Sequence, residues 1–587
     1  MNGNWSLNEL YTGFDSKEFK ADLNLFDKKI NEYKDFVDAL ISNPNTKESL
    51  ENYIVLTNEF KELGNKLIMY SNLVISVNTK DSVGLKTIEI LEQKLASIAD
   101  SEAKLYKWIG SIKNLSELIS SSDLLKQHEF HLNEVKEQST HLLSDKEELL
   151  IAQMKGSGSS AWTKLKDLET SSLLIDYDGK SLPLSVIRNM AFDSSEKVRK
   201  AAYEAELEGY KKIENSVAAC LNGVKGEVIT VSKLRGYKTP LEETVVNSRL
   251  DMDSLNAMLD AMKESYPVFR KYFQRKAEIL GNKNGLPFYN LFAPIVDSDQ
   301  KFTFEEAKAF IIENFSSFSD KLGNFAKTAI ENNWVDVYPK EGKVGGAFCE
   351  NLHMIGESRI MLNFGETLSD VITLAHELGH GYHGDCLLTQ TSINSDYPMP
   401  IAETASTFCE TIVKKAAVKN ASPKDALAIL ETEISDCAQI IVDIMSRFLF
   451  EKEVFEKREE ASISASELNE IMIKAQKETY GDGLDNEFLH PYMWACKPHY
   501  YYAEANFYNF PYAFGLLFSK GLYAEYLKRG DEFVKAYDEL LSVTGKMKLA
   551  DITKLMNIDI TSIDFWRNSL KTIEEDIEKF LELSKNL

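Results

Sequence analysis

From Ser16 to about Ala39, the apolar residues Phe19, Leu23, Phe26, Ile30, Tyr33, Phe36, Val37 and Leu40 recur every three or four positions, the period of a helix with one buried face. Leu50, Tyr53, Ile54, Leu56, Phe60, Leu63, Leu67 and Tyr70 predict a second long helix, and Ile88, Leu91, Leu95, Ile98, Leu105 and Ile109 a third. The charged faces between these stripes read as solvated. His128, His131 and His141 fall on a charged helical stretch and are expected at the surface. The N-terminal part of the chain therefore reads as a helical layer without a catalytic constellation.

Gly156-Ser157-Gly158-Ser159-Ser160 reads as flexible punctuation, and Asp178-Gly179 between two short apolar runs predicts a small hairpin near 173–184. Helical spacing resumes after Asp193-Ser194-Ser195-Glu196, a capping segment, and again through Met258, Met262, Tyr266, Phe269 and Phe273. Between Lys343 and Phe364 the texture changes. Val344-Gly345-Gly346-Ala347-Phe348 and Ser358-Arg359-Ile360-Met361-Leu362-Asn363 are short β-prone runs, which predict a small sheet whose edge accepts an extended peptide or, failing that, supports the next helix. The expected fold is mainly α, with an N-terminal helical domain at 1–190 and a larger domain at 191–587.

That next helix carries the chemistry. Val371, Ile372, Leu374, Ala375 and Leu378 form its buried flank, Ser369 and Asp370 sit where an N-terminal cap is expected, and the segment contains His376-Glu377-Leu378-Gly379-His380. H-E-x-x-H puts two imidazoles one turn apart on one face, where both can bind a single Zn²⁺ while Glu377 reaches the attacking water. The third ligand must come from elsewhere. His383 returns to the same face but lies ~10 Å along the axis from His376, which leaves it a packing or supporting role. Downstream, Pro398-Met399-Pro400 breaks the chain and Glu403 to Glu410 restarts helical spacing. A returning helix would let Glu403 complete the site and Glu410 accept the other ring N–H of a ligand histidine.

Near the C-terminal end, Pro498-His499-Tyr500-Tyr501-Tyr502 leads into Phe507-Tyr508-Asn509-Phe510-Pro511-Tyr512. Imidazole and phenol donors are what a peptidase needs to stabilise an oxyanion, although aromatic density alone more often means core. The net charge of −24 opposes nucleic-acid phosphates and anionic lipid, so neither partner is expected. The N-terminus has no basic and apolar leader pattern, and no apolar run approaches the ~20 residues of a membrane span. Six singly scattered Cys suit free thiols in a reducing compartment, and Cys386 and Cys409 stand at no ligand spacing. The expectation is a soluble, cytoplasmic protein.

The run His376 to His383, the Glu403 to Glu410 segment and the stretch from Pro498 to Tyr512 together resemble the oligoendopeptidase F branch of the thimet oligopeptidase family of zinc peptidases. The Gly-Ser stretch with Ala161-Trp162 and its hairpin resembles that branch's N-terminal region, so the likeness runs from about residue 110 onward. The resemblance implies an elongated, two-lobed helical molecule with a deep channel, one Zn²⁺ per chain, and short peptides as substrates. By motif position it makes His376, His380 and Glu403 the zinc ligands, Glu377 the base, Glu410 the support of a ligand histidine, and His499 with Tyr508 the oxyanion donors. Tyr501, Tyr502 and Tyr512 remain alternatives to Tyr508. The expected activity is that of a zinc endopeptidase, against an exopeptidase using the same ligands, an inactive peptide-binding scaffold, or a structural zinc protein. Nothing in the sequence separates a monomer from a dimer.

Overall fold

The structure, a computed structural model, describes residues 3–40, 45–296 and 300–587. Two compact units make up the chain, the first from residues 1–142, 300–416 and 525–557, the second from 143–299, 417–524 and 558–587. Each draws on three separated segments, so these units are not the linear division at 190. Helices dominate both, and the sheets are small.

In the first unit the leading helix is Lys17–Ala39, with Ser16 Oγ accepting the Phe19 N–H as N-cap and Phe19, Phe26, Ile30, Tyr33 and Val37 on the buried face. The second runs Thr46–Val77 and buries Leu50, Tyr53, Ile54, Leu56, Phe60 and Leu67. Phe26 stacks on Phe60 at 5.1 Å between centroids, and burying a ring of that size contributes ~1.5–3 kcal/mol. The expected third helix is two, Ser82–Ala96 and Ala99–Ser111. Ser97 closes the first with its backbone N–H on Gln93 and Lys94 and its hydroxyl on the Lys94 carbonyl. One apolar stripe thus continues across a local break in the backbone.

The expectation that three histidines are surface residues fails for His128. It is wholly buried, and its ring nitrogens lie 2.9 Å from the Leu124 carbonyl and 2.9 Å from Thr391 Oγ1. His131 is half-buried, 2.6 Å from the Tyr53 hydroxyl.

A three-stranded sheet in the first unit has the order Val335–Asp336, Glu357–Met361, Phe348–Leu352, with the last pair antiparallel and the first parallel. Gly356, at φ +66°, ends the short turn between the two longer strands. The β-prone run is strand only from Phe348 onward. Among the described residues Phe348–Leu352 pairs on one side only. The motif helix, Leu368–Leu387, packs on this sheet. Its cap is Thr367, not Ser369 or Asp370: Thr367 Oγ1 accepts the Asp370 N–H, and the Asp370 carboxylate bonds back to the Thr367 N–H at 2.9 Å.

In the second unit the Gly-Ser stretch is a tight turn between helices Asp145–Lys155 and Ser159–Ser172, not a loose linker. The Glu227 carboxylate accepts the Ser159 N–H and hydroxyl, both at 2.6 Å, and pins it there. The hairpin follows as expected, Leu174–Tyr177 against Lys180–Pro183, with Asp178 and Gly179 both at positive φ as a two-residue turn with the right twist requires. No helix is long and apolar enough to cross a membrane among the described residues.

Candidate metal centre and active site

Two elements of the first unit bring the sequence-derived residues together. His376 and His380 lie one turn apart on Leu368–Leu387. Glu403 ends the single turn Met399–Ala402, begun at Pro398, and leads directly into helix Thr404–Asn420, which carries Glu410 two turns on. The crossing of these helices depends on Gly379. A Cβ there would stand 2.6 Å from the Ala405 carbonyl oxygen and 2.6 Å from the Ser406 Cα, contacts that only backbone movement could relieve. Glycine therefore lets one helix lie directly on the other, which carries Glu403 to the histidines.

The resulting geometry is a triangle. His376 Nε2 and His380 Nε2 are 3.1 Å apart, and each is 3.4 Å from Glu403 Oε2. Tetrahedral zinc with bonds of 2.0–2.2 Å separates neighbouring ligand atoms by ~3.3–3.5 Å. The two sides to Glu403 already stand at that spacing and the His376–His380 side is slightly shorter, and the three are the only group of its kind among the described residues. The donor chemistry fits as well. His376 Nδ1 lies 2.5 Å from Glu410 Oε1, so the ring donates its Nδ1 hydrogen to the carboxylate and turns Nε2 toward the triangle. Ser406 Oγ donates to Glu403 Oε2 at 3.0 Å, and the Asn351 amide to the His380 carbonyl at 3.0 Å.

Electrostatics separate the three carboxylates. Burial acts to raise Glu403, but His380, His376 and the Ser406 bond outweigh it and hold the carboxyl at about 2. Glu410 is likewise desolvated, yet Lys414, 2.7 Å away, and His376 hold it at about 2. Both are anions at neutral pH. Glu377 goes the other way: burial pushes its pKa up despite the two histidines. It is 5% exposed, and its Oε2 has no hydrogen-bond partner. A raised, half-unpartnered carboxyl beside the ligand cluster is suited to carrying a proton.

His383 does not join the group. Its ring is fully buried, 2.8 Å from Thr544 Oγ1 and stacked on Tyr397 at 4.2 Å between centroids. Cys386 takes the Lys321 ammonium at 3.4 Å and Cys409 is buried; neither stands among the possible ligands.

In the second unit His499 and Tyr508 are brought together, 5.3 Å between ring centroids, with Tyr512 at 6.5 Å and Tyr502 at 6.0 Å from the same imidazole. Burial and the nearby cations Arg447, Lys497 and Lys166 lower the His499 pKa, which favours the neutral imidazole. Tyr501 is removed from the set: it is fully buried, and its hydroxyl donates to the Trp494 carbonyl at 3.2 Å. Tyr508 and Tyr512 are half-buried.

Sequence reasoning missed Lys414, Ser406 and Gly379. Lys414 was detectable, standing four residues after Glu410 on one helix. Gly379 and Ser406 owe their roles to a helix crossing that no local pattern encodes.

The family model described as Peptidase family M3 matches residues 189–572, and that described as Oligopeptidase F matches residues 111–174. Among curated relatives, Oligopeptidase PepF of Bacillus subtilis (strain 168) is 26% identical over 497 residues, 83% of this chain and 73% of that protein. Among solved structures, a Chlamydophila abortus peptidase superposes with a TM-score of 0.85 at 21% identity, covering 99% of this chain and 98% of that one. Oligoendopeptidase-F from Enterococcus faecium gives a TM-score of 0.70 at 17% identity, covering 96% of this chain and 99% of that one. At these identities the structural matches speak for the fold.

Proposed function

The chain belongs to peptidase family M3 and is a peptide hydrolase, and from that premise we propose a zinc-dependent endopeptidase that cuts internal bonds of short oligopeptides. The observation that carries the zinc assignment is the triangle of His376, His380 and Glu403, whose two 3.4 Å sides fit tetrahedral spacing and whose 3.1 Å side falls slightly inside it. When bound there, zinc supplies Lewis acidity to water and to the scissile carbonyl.

The chain's own groups do the rest. Glu377 takes the proton of the attacking water and delivers it to the departing amine, a task for which burial has already raised its proton affinity. Glu410 holds His376 in the tautomer that presents Nε2. His499 and Tyr508 are the proposed donors to the oxyanion, the imidazole in its neutral form. The unpaired side of strand Phe348–Leu352 offers backbone groups to an extended peptide, and Gly345 and Gly346 leave the space before it open. All six cysteines are free, in keeping with a cytoplasmic, reducing setting.

The test is mass spectrometry of the products from a mixed peptide library. Internal cuts in peptides of roughly a dozen residues are expected, with a stably folded protein spared because only an extended chain can line a strand edge. Exclusively terminal cuts would replace this reading with an exopeptidase. Glu377→Gln should retain zinc and lose turnover; loss of zinc in that variant would remove Glu377 from the proton-carrying role.

A further inference from the structure

The second unit holds a cavity of about 450 Å³, within the range of small-molecule sites, and none of His376, His380 and Glu403 lines it. One wall is aromatic, formed by Phe192, Phe273, Phe288, Tyr289 and Phe292, with Phe192 62% exposed. Charged groups share the lining. Arg188, Arg199, Arg447 and Lys497 line the space with the carboxylates Glu206, Asp436 and Asp443.

The charges do not pair off. Arg188 is bound to Glu206 at 3.0 Å, Arg447 is paired with Asp443, and Arg199 is bound to Asn290 at 3.0 Å and to the Asp193 and Ser194 carbonyls. Lys497 has no hydrogen bond or ion pair among the described residues. Two further nitrogens beside the cavity are unpartnered but closed off from its open space. Arg447 Nε is buried without a partner, and so is Nδ1 of His490, a side chain only 2% exposed. His490 Nε2 is 3.4 Å from Glu206 Oε1, outside good hydrogen-bond geometry, and the ring lies 5.1 Å from Phe288. A cation that lines a cavity without a protein partner marks what the cavity is built to receive, and here that cation is Lys497.

We propose that this cavity binds a carboxylate attached to an apolar body, the chemistry of a peptide's C-terminal residue or of a free N-acylated amino acid, with Lys497 and Arg447 taking the carboxylate and the aromatic wall the side chain. Arg447 and Lys497 bring to the lining the positive charge that a carboxylate needs, and the aromatic side chains offer contact to the apolar body. The proposal rests on the peptidase reading only for the source of the ligand; the cavity chemistry stands without it.

The test is calorimetric titration of the full chain, with zinc and after its removal, using N-acetylphenylalanine, its C-terminal amide, acetate, and a short peptide ending in phenylalanine with the Glu377→Gln substitution present. The acid should bind one per chain with Kd on the order of a millimolar or tighter. The amide and acetate should bind at least ~10-fold more weakly, and zinc removal should change nothing. Lys497→Met, which breaks no ion pair, should weaken the acid at least ~10-fold, and Ala191→Trp at the cavity wall should do so by filling space. Peptide binding beyond that of the free acid identifies a peptide C-terminus as the ligand; equal binding identifies the small acid. Equal affinity for acid and amide, acetate as tight as the aromatic acid, no binding at all, insensitivity to both substitutions, or loss of binding with zinc would each overturn the proposal. The last would assign the carboxylate to the metal, and product mapping would still judge the peptidase reading independently.

Discussion

Removal of the Glu410 carboxylate should weaken zinc binding without touching a ligand. The bond at stake is a 2.5 Å contact between His376 Nδ1 and an anion held ionised down to about pH 2. Hydrogen bonds to charged groups are worth ~1.5–3 kcal/mol, and 1.4 kcal/mol is a factor of ten, which gives a loss of ~10- to 150-fold in affinity. The general cost of removing the partner of a metal-bound histidine, ~10- to 100-fold, agrees. Glu410→Gln keeps an acceptor oxygen and loses the charge, so it belongs at the low end; Glu410→Ala belongs at the high end. Glu403→Ala removes a ligand and should exceed both. Lys414 complicates the reading, because its ammonium, 2.7 Å from Glu410, would be left unpaired near the cation. Glu410→Ala with Lys414→Met separates the two causes. Zinc affinity by chelator competition, with circular dichroism to verify the fold, is the assay. Wild-type affinity in Glu410→Ala, or full recovery in the double variant, would refute the view that the carboxylate acts by orienting His376.

Further outcomes follow from the same geometry. Gly379→Ala should lower zinc affinity by more than tenfold and cost ~1–3 kcal/mol of stability, since its Cβ overlaps backbone of the crossing helix; zinc titration and thermal melts check both, and a silent substitution would contradict the helix contact. Tyr508→Phe should lower kcat and kcat/KM together by ~10²-fold with KM nearly unchanged and Tm unaltered, whereas Tyr501→Phe should leave kinetics intact, its hydroxyl being bound to a backbone carbonyl. Should Tyr508→Phe be silent and Tyr512→Phe impaired, the donor is the other phenol. His383 is held at about pKa 3 by burial, with His380 adding to the shift, against an unfolded value near 6.5. The unfolded state therefore binds the extra proton between those values, stability falls as pH drops from about 6.5 toward 3 by roughly 1.4 kcal/mol per pH unit, and His383→Phe should flatten that part of the pH–stability curve. An unchanged slope in the zinc-loaded variant would show that His383 is not the acid-sensitive group.

The parts of this molecule that were legible in the chain are those governed by a local period. The long helices at Lys17–Ala39 and Thr46–Val77 follow from apolar spacing, and His376 with His380 from the same arithmetic. Glu403 and Glu410 could be named because seven residues return to one helix face and a proline break precedes them. Legibility ended where an outcome depended on residues distant in sequence. His128 sits on a charged stretch yet is buried because Thr391, far along the chain, receives its ring. The stripe from Ile88 to Ile109 continues across a break at Ser97 and Ile98, which apolar spacing does not register. Four tyrosines near His499 were equivalent in the sequence, and the Trp494 carbonyl distinguishes Tyr501 from the others. Each compact unit joins three segments, an arrangement set by tertiary contacts and invisible to composition.

Gly379 also bears on how much information a short motif holds. In H-E-x-x-H two positions are written as free. Here Leu378 is wholly buried in the core and Gly379 meets the backbone of the helix that delivers Glu403, so neither tolerates arbitrary replacement. Wherever a third ligand arrives on a helix crossing at that point, the second open position is closed to bulky side chains. A chance match with Phe or Arg there would satisfy the pattern and still be unable to assemble the triangle. Reading that position for size turns a spacing rule into a test of whether the rest of the fold can come close enough.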